Sequence, residues 1–207
     1  MLRVENLKVG ENVPVSFEVK DGECIAIKGP SGSGKSRLLR AIADLDETTG
    51  YVFLNGVERN EMTAPSWRKL VRYIAAEPGW WADTPRDTFP DGPDKVSIRN
   101  KLIHDLNLEP DLLDRQISQL STGERQRLAI ARALTDAPHV IAFDEPTASL
   151  DKTNAAFVEE LIRYQVLAGK IVIIVSHDQA QISRLANHTL ELEAARNSDT
   201  ATPTRDA

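Results

Sequence analysis

Aromatics, cysteine, long apolar runs and surplus positive charge are all scarce in this sequence. Cys24 is the sole cysteine among 207 residues, so no internal disulfide can form, which fits a reducing compartment. It lies in an apolar run and reads as a small buried residue. No uninterrupted apolar stretch approaches the roughly 20 residues that a spanning helix needs, so the chain is not expected to cross a bilayer. Met1 to Lys8 carries charges and has no apolar centre, so no signal peptide is expected. Lys and Arg total 25 against 31 Asp and Glu, a net charge of −6. No overall basic field draws such a chain to nucleic acid, and no nucleic-acid partner is expected. Aromatics make up 5% and charged residues 27%, a composition that suits a globular chain. The length fits one domain with room for a subdomain. No internal repeats occur.

What is present begins with Gly29-Pro30-Ser31-Gly32-Ser33-Gly34-Lys35-Ser36, which fits the phosphate-binding pattern G-x-x-x-x-G-K-[ST] without a mismatch. The apolar run Cys24 to Ile27 before it reads as a buried strand. After it, Leu38, Leu39 and Ile42 fall at helical spacing within Lys35 to Ala43. Strand, glycine loop and helix form the context that the motif requires. Gly29, Gly32 and Gly34 permit backbone angles barred to other residues, so successive N–H groups turn inward on a phosphate. The helix N-terminus adds partial positive charge. Lys35 is expected to reach the β- and γ-phosphates and the Ser36 hydroxyl to ligate Mg²⁺. A chance match in a chain of this size is on the order of one per cent.

Two strands, Leu2 to Val9 and Val13 to Val19, are expected to pair antiparallel, with Asp21-Gly22 as a turn. A further strand is expected over Tyr51 to Leu54, closed by Asn55-Gly56, then a short helix over Trp67 to Leu70 and a strand over Val71 to Ala75. Trp67 reads as core. From Glu77 to Asp94 the chain holds Pro78, Pro85, Pro90 and Pro93 and reads as a long loop, a kind that is usually functional. Helices are expected over Lys95 to Leu108 and Asp111 to Arg115, making residues 77–118 a helical insertion. Helix and strand then alternate: a helix from Ser121 to about Leu134, a strand over Val140 to Phe143, a helix over Lys152 to Leu167, a strand over Ile171 to Val175 and a helix over Gln179 to Leu185. Such alternation predicts parallel strands with crossover helices. Residues 194–207 are polar and without apolar pattern, so disorder is expected there.

Three further segments bear on chemistry. Val140 to Phe143 runs into Asp144-Glu145. A buried strand ending in two acids needs compensation for its charge. The pair either starts a turn with Pro146 or, downstream of a phosphate loop, supplies a magnesium ligand in Asp144 and a water-orienting base in Glu145. Ser121 and Glu124 satisfy the S-x-x-E capping box. Their helix end, with Ser121 and Gly123 exposed, also suits an anion, and the two readings are compatible. His177 follows the strand Ile171 to Val175 at the side of the sheet where α/β ligand sites lie.

The phosphate loop, Leu120 to Glu124, Asp144-Glu145, Ser149-Leu150-Asp151 and Ser176-His177-Asp178 occur in the order found in ATP-binding cassette ATPases. The sequence resembles that family over about Leu2 to Leu192. The resemblance implies an α/β fold: a P-loop core with a mainly parallel sheet, an N-terminal antiparallel β portion and an inserted α-helical subdomain, as one domain over residues 1–193. It implies ATP and Mg²⁺ as cofactors, with residues 29–36, Arg37, Ser121, Gly123 and Glu124 on the nucleotide. Ser36 and Asp144 would hold the metal, Glu145 would be the general base, and His177 would contact the γ-phosphate. It also implies a head-to-tail homodimer in which each ATP lies between one P-loop and the other subunit's Leu120 to Glu124, with residues 149–151 communicating across. The expected activity is ATP hydrolysis. The expected setting is cytoplasmic, peripheral at the inner face of the cell membrane, through separately encoded transmembrane permease subunits that meet the helical subdomain. Two other readings stay open: a soluble non-transport cassette ATPase, and a nucleotide-gated binding module with weak hydrolysis.

The sequence departs from the family in four places. Ala76 stands where a glutamine is usual, and a methyl neither ligates magnesium nor hydrogen-bonds to water. Either Glu77 substitutes for it or coupling to a partner is altered. No Phe, Tyr or Trp precedes Phe17, where an aromatic commonly stacks on adenine, so loose adenine selectivity is expected. Thr122 replaces a common glycine. Arg37 replaces a frequent threonine, and either reaches a phosphate or points to solvent. The pair Trp80-Trp81 beside Ala76 suits an interface anchor, with at least one ring expected against the protein's own core.

Overall fold

The computed structural model describes residues 1–10 and 13–193. Alternating side chains in β1 (Leu2–Lys8), β2 (Val15–Val19) and β4 (Thr49–Leu54), with the short β5 (Val57–Glu58), build an antiparallel sheet in the order β2-β1-β4-β5. The second sheet takes the apolar runs β3 (Cys24–Lys28), β6 (Val71–Ile74), β7 (Val140–Asp144) and β8 (Ile171–Val175), together with β9 (His188–Glu191). Its order is β6-β7-β8-β3-β9 and every pairing in it is parallel. The expected parallel core and N-terminal antiparallel portion are therefore present.

Six α-helices are found among the described residues: α1 (Lys35–Ile42), α2 (Ala64–Leu70), α3 (Pro93–Asp105), α4 (Thr122–Leu134), α5 (Lys152–Leu167) and α6 (Gln179–Leu185). The parallel sheet separates two apolar layers because successive side chains of a strand point to opposite faces. Cys24, Ala26, Ile141, Phe143, Val172 and Ile174 face one layer, with residues of α3, α4, α5 and α6. Ile25, Ile27, Val140, Ala142, Ile171 and Ile173 face the other, with α1 and the antiparallel sheet. Burial on both faces explains why these strands read as continuous apolar runs.

Trp67 on α2 fills the second layer. It is fully buried and its Nε1 donates to the Ile42 carbonyl at 2.9 Å. Trp67→Ala is expected to lower the unfolding free energy by about 3–5 kcal/mol, measured as a shift in denaturant midpoint. A shift below about 1 kcal/mol would mean that the site collapses around the truncation.

Several boundaries differ from expectation. The strand expected from Val13 begins at Val15, and the helix expected from Trp67 begins at Ala64 with a proline in its first turn. The long loop ends earlier than expected, since α3 starts at Pro93 and ends at Asp105, and a 3-10 turn spans Arg86–Thr88. The helix expected over Asp111 to Arg115 is a 3-10 turn over Pro110–Asp114. β5 and β9 are additions. The expected disorder of residues 194–207 lies outside the described residues.

Candidate functional site

Strand register brings the chemistry together. Ile27 of β3 pairs with Val175 of β8, which pairs with Asp144 of β7. The carboxyl ends of the three strands are thus level, which is where α/β folds bind ligands. The loop after β3, the acid pair ending β7 and His177 after β8 open on one pocket of about 360 Å³.

Gly29 (φ 142°) turns the chain out of β3 where a Cβ would lie 2.5 Å from the Leu192 carbonyl oxygen and 2.8 Å from Ser33 Oγ. Ser33 is buried and its N–H donates to the Pro30 carbonyl at 3.2 Å. These residues shape the loop from behind, while Ser31, Gly32 and Gly34 line the pocket. Gly34 caps α1 in the left-handed region, so the first-turn N–H groups and the positive end of the helix dipole face the pocket. The Lys35 ammonium donates to the carbonyls of Gly29 and Pro30, both at 2.9 Å, which holds its charge over the loop. Ser36 and Arg37 line the same pocket and are exposed.

Asp144 is buried, and one carboxylate oxygen accepts from the Tyr73 hydroxyl of β6 at 2.9 Å. Burial, followed by this contact with the carboxylate, pushes the Tyr73 phenol well above its usual range, so it stays a donor. The Arg40 guanidinium lies 5.9 Å from the centre of the Tyr73 ring and is held by Asp46 in a forked pair at 2.7–3.0 Å. Asp46, Arg40, Tyr73 and Asp144 thus form a support under the pocket floor. Tyr73 and Asp144 are 71 positions apart in sequence, and no local pattern announces the contact.

Glu145 adopts φ 48°, a left-handed conformation that costs a non-glycine residue roughly 1–2 kcal/mol. Its N–H donates to the Val175 carbonyl at 2.9 Å, which helps to hold it there. One carboxylate oxygen lies 3.3 Å from His177 Nε2 and the other accepts from the His177 N–H at 3.4 Å. Burial raises the Glu145 pKa above its ordinary value, against the opposing pull of His177. A partly desolvated carboxylate beside a phosphate cradle suits a water-activating base.

Ala76 lines the pocket and the exposed Glu77 does not. Glu77 therefore takes no part in the pocket wall, and Tyr73 is the side chain from β6 that touches its acid. Ser121, Gly123 and Glu124 do not line it either. Ser121 caps α4: its Oγ accepts from the Glu124 N–H at 3.2 Å, while Glu124 accepts from the Ser121 N–H at 2.8 Å and from its hydroxyl at 2.7 Å. The hydrogen bonds from Ser121 hold the Glu124 pKa below its ordinary value. Arg127 ties this helix to the end of α3 through the Leu106 and Asn107 carbonyls at 2.8 and 2.7 Å. Asp151 caps α5.

A second, larger groove of about 630 Å³ lies between β6 and α4, lined by Trp80, Trp81, Phe89 and Arg132 among others. Trp80 packs on the apolar layer that holds α3 and α4, while Trp81 is 71% exposed. The Arg132 guanidinium lies 4.3 Å from one ring centre and 4.4 Å from the other. Burial lowers its pKa to about 10.

Known proteins are similar to this chain. A dimeric cassette structure, the ATP-binding cassette MJ0796 in a post-hydrolysis state bound to ADP and Pi, superposes with a TM-score of 0.80 at 26% identity, covering 95% of this chain and 97% of that one. The probable iron export ATP-binding protein FetA of Escherichia coli is 32% identical over 88% of this chain and 87% of its own length. Protein STAR1 of Oryza sativa is 34% identical over 84% of this chain, which spans 52% of that relative. The family model for ABC transporters matches residues 13–148. With its phosphate loop, acid pair and histidine on one pocket, the chain belongs to the ABC transporter family of nucleotide-binding cassettes.

Proposed function

We propose that this chain is the ATP-binding and ATP-hydrolysing subunit of a membrane transporter, working as a head-to-tail dimer beside separate transmembrane subunits. The observation that carries the reading is a divided site. The phosphate loop, Asp144, Glu145 and His177 share one pocket, while the exposed Ser121 lies outside it at the start of α4 with Gly123, which the sequence led one to expect exposed but which is half-buried under Leu150. A second copy turned head to tail brings its α4 N-terminus, a ready anion site, to the open side of the pocket. MJ0796 is itself dimeric, which supports this arrangement.

The residues present fit a magnesium ion. Mg²⁺ is held by one or two protein oxygens together with substrate phosphates, and Ser36 and Asp144 offer a hydroxyl and a carboxylate on one pocket. When bound there it would neutralise phosphate charge. Lys35 and the loop N–H groups hold the phosphates, and Gly29 to Gly34 fix the direction of those donors. Glu145 orients the attacking water and takes its proton, while His177 positions the carboxylate and faces the γ-phosphate. Catalysis is then mainly placement and charge stabilisation.

Among the described residues, no helix is long and apolar enough to cross a membrane. As a transporter's ATPase subunit, the chain would sit at the inner face of the membrane through a partner. The Trp80–Trp81 groove, at the start of residues 77–118, is the surface proposed for it, since an exposed tryptophan on a proline-rich loop, here Trp81, makes an interface anchor. A second reading, a nucleotide-gated module with slow hydrolysis, is favoured by the methyl of Ala76 on the pocket wall.

Steady-state hydrolysis with Mg²⁺ across protein concentrations separates the two. Turnover per subunit that rises with concentration supports the composite dimer. Turnover that stays constant while the protein remains monomeric overturns it. Turnover near background with ATP bound selects the gated module.

A further inference from the structure

Asp144 is 4% exposed, yet among the described residues its carboxylate takes part in one hydrogen bond, from the Tyr73 hydroxyl to a single oxygen at 2.9 Å. The Lys35 ammonium is engaged by the Gly29 and Pro30 carbonyls instead. One neutral donor leaves a buried carboxylate under-compensated. Asp144 lines the nucleotide pocket, so its second oxygen is the one left for a cation there.

The sheet explains why Tyr73 reaches this acid. Tyr73 of β6 pairs with Ala142 of β7, and alternation puts Asp144, two positions on, on the same face as Ala142. The small Ala142 side chain leaves the ring room to lean along β7 toward Asp144. From α1, the Arg40 guanidinium lies 5.9 Å from the ring centre and is itself gripped by Asp46. The ring is therefore held between α1 and β7, and its hydroxyl fixes the rotation of the carboxylate. We propose that Tyr73 is a positioning residue for the metal site: it occupies one Asp144 oxygen and so presents the other to the divalent cation that accompanies the nucleotide. The inference rests on the Mg²⁺ placement proposed for Ser36 and Asp144. Hydrogen-bond partners that orient a metal ligand in this way are worth about 10- to 100-fold in metal affinity.

Equilibrium binding of a non-hydrolysable ATP analogue to the full chain tests this, once with Mg²⁺ and once with EDTA. The wild type is compared with Tyr73→Phe, Asp144→Asn and the double variant. Tyr73→Phe deletes the hydroxyl and keeps the ring between α1 and β7. It is expected to match the wild type in EDTA and to lose about 10- to 100-fold in Mg²⁺. Asp144→Asn is expected to lose affinity in Mg²⁺ too. The double variant is expected to lose no more than Asp144→Asn alone, because the hydroxyl acts through that carboxylate. Wild-type affinity of Tyr73→Phe in Mg²⁺, with Asp144→Asn impaired, would overturn the inference. So would additive losses in the double variant, or an equal loss with and without the metal, which would make Tyr73 a support of the phosphate loop. Wild-type affinity of Asp144→Asn in Mg²⁺ would fail the metal placement itself, and the inference with it.

Discussion

Lys35→Ala is expected to weaken ATP binding by on the order of 100-fold, the loss of one or two charge-assisted hydrogen bonds of about 1.5–3 kcal/mol each. The ammonium sits over the loop on the Gly29 and Pro30 carbonyls, at 2.9 Å from each. It brings a positive charge to the one place where the backbone donors and the α1 dipole also converge. Alanine leaves the dipole and the N–H groups, so residual binding is expected rather than none. The two carbonyls lose a partner on the pocket side, where water can replace it, so the fold is expected to survive. Titration calorimetry with ATP measures the loss, and a thermal melt without nucleotide checks the fold. Wild-type affinity in a folded variant would remove the phosphate-loop assignment.

Elements of this chain are legible in the sequence to the extent that the signal determining them is local. The helix over Lys152–Leu167 is legible to the residue because Asp151 caps it, accepting from the Asn154 N–H, and Gly169 follows its end in the left-handed region. β7 and β8 are legible because burial on both faces makes them unbroken apolar runs. β9 is not. It is an edge strand, mostly exposed, and its residues His188 to Glu191 carry no alternation. α2 begins three residues earlier than Trp67 because Pro65 is tolerated in a first helical turn, a signal that the sequence itself carries.

The site divides in the same way. The phosphate loop, Asp144-Glu145 and His177 are strand ends followed by polar residues, and parallel register makes such ends coincide. What surrounds them is not local. Tyr73 reaches Asp144 across adjacent strands, and Arg37 meets Gly10 between α1 and the far end of β1. Each contact depends on how two separately legible elements pack, which residue spacing does not encode. The role of Ser121 is ambiguous in both sequence and structure, because capping α4 and meeting an anion use neighbouring donors of one helix end.

Glu145→Gln is expected to lower hydrolysis by about 100- to 10,000-fold while ATP binding persists, the range for removing a positioned general base. Glutamine has nearly the same shape and can keep the Val175 backbone contact and the left-handed turn at residue 145, so the pocket should remain formed. What it loses is the ability to take a proton. With hydrolysis blocked and nucleotide retained, the head-to-tail dimer should accumulate, visible by size-exclusion chromatography with ATP. The pH profile gives an independent readout. Burial raises the Glu145 pKa, and the base acts only when ionised. Wild-type turnover should therefore fall as pH drops through that raised pKa, at a higher pH than for an ordinary glutamate near about 4.3. The Gln variant has no group to protonate there, so its residual rate should be flat across the same limb. Turnover within a few-fold of wild type would remove Glu145 from the role of base. An acid limb that survives in the variant would assign that titration to another group.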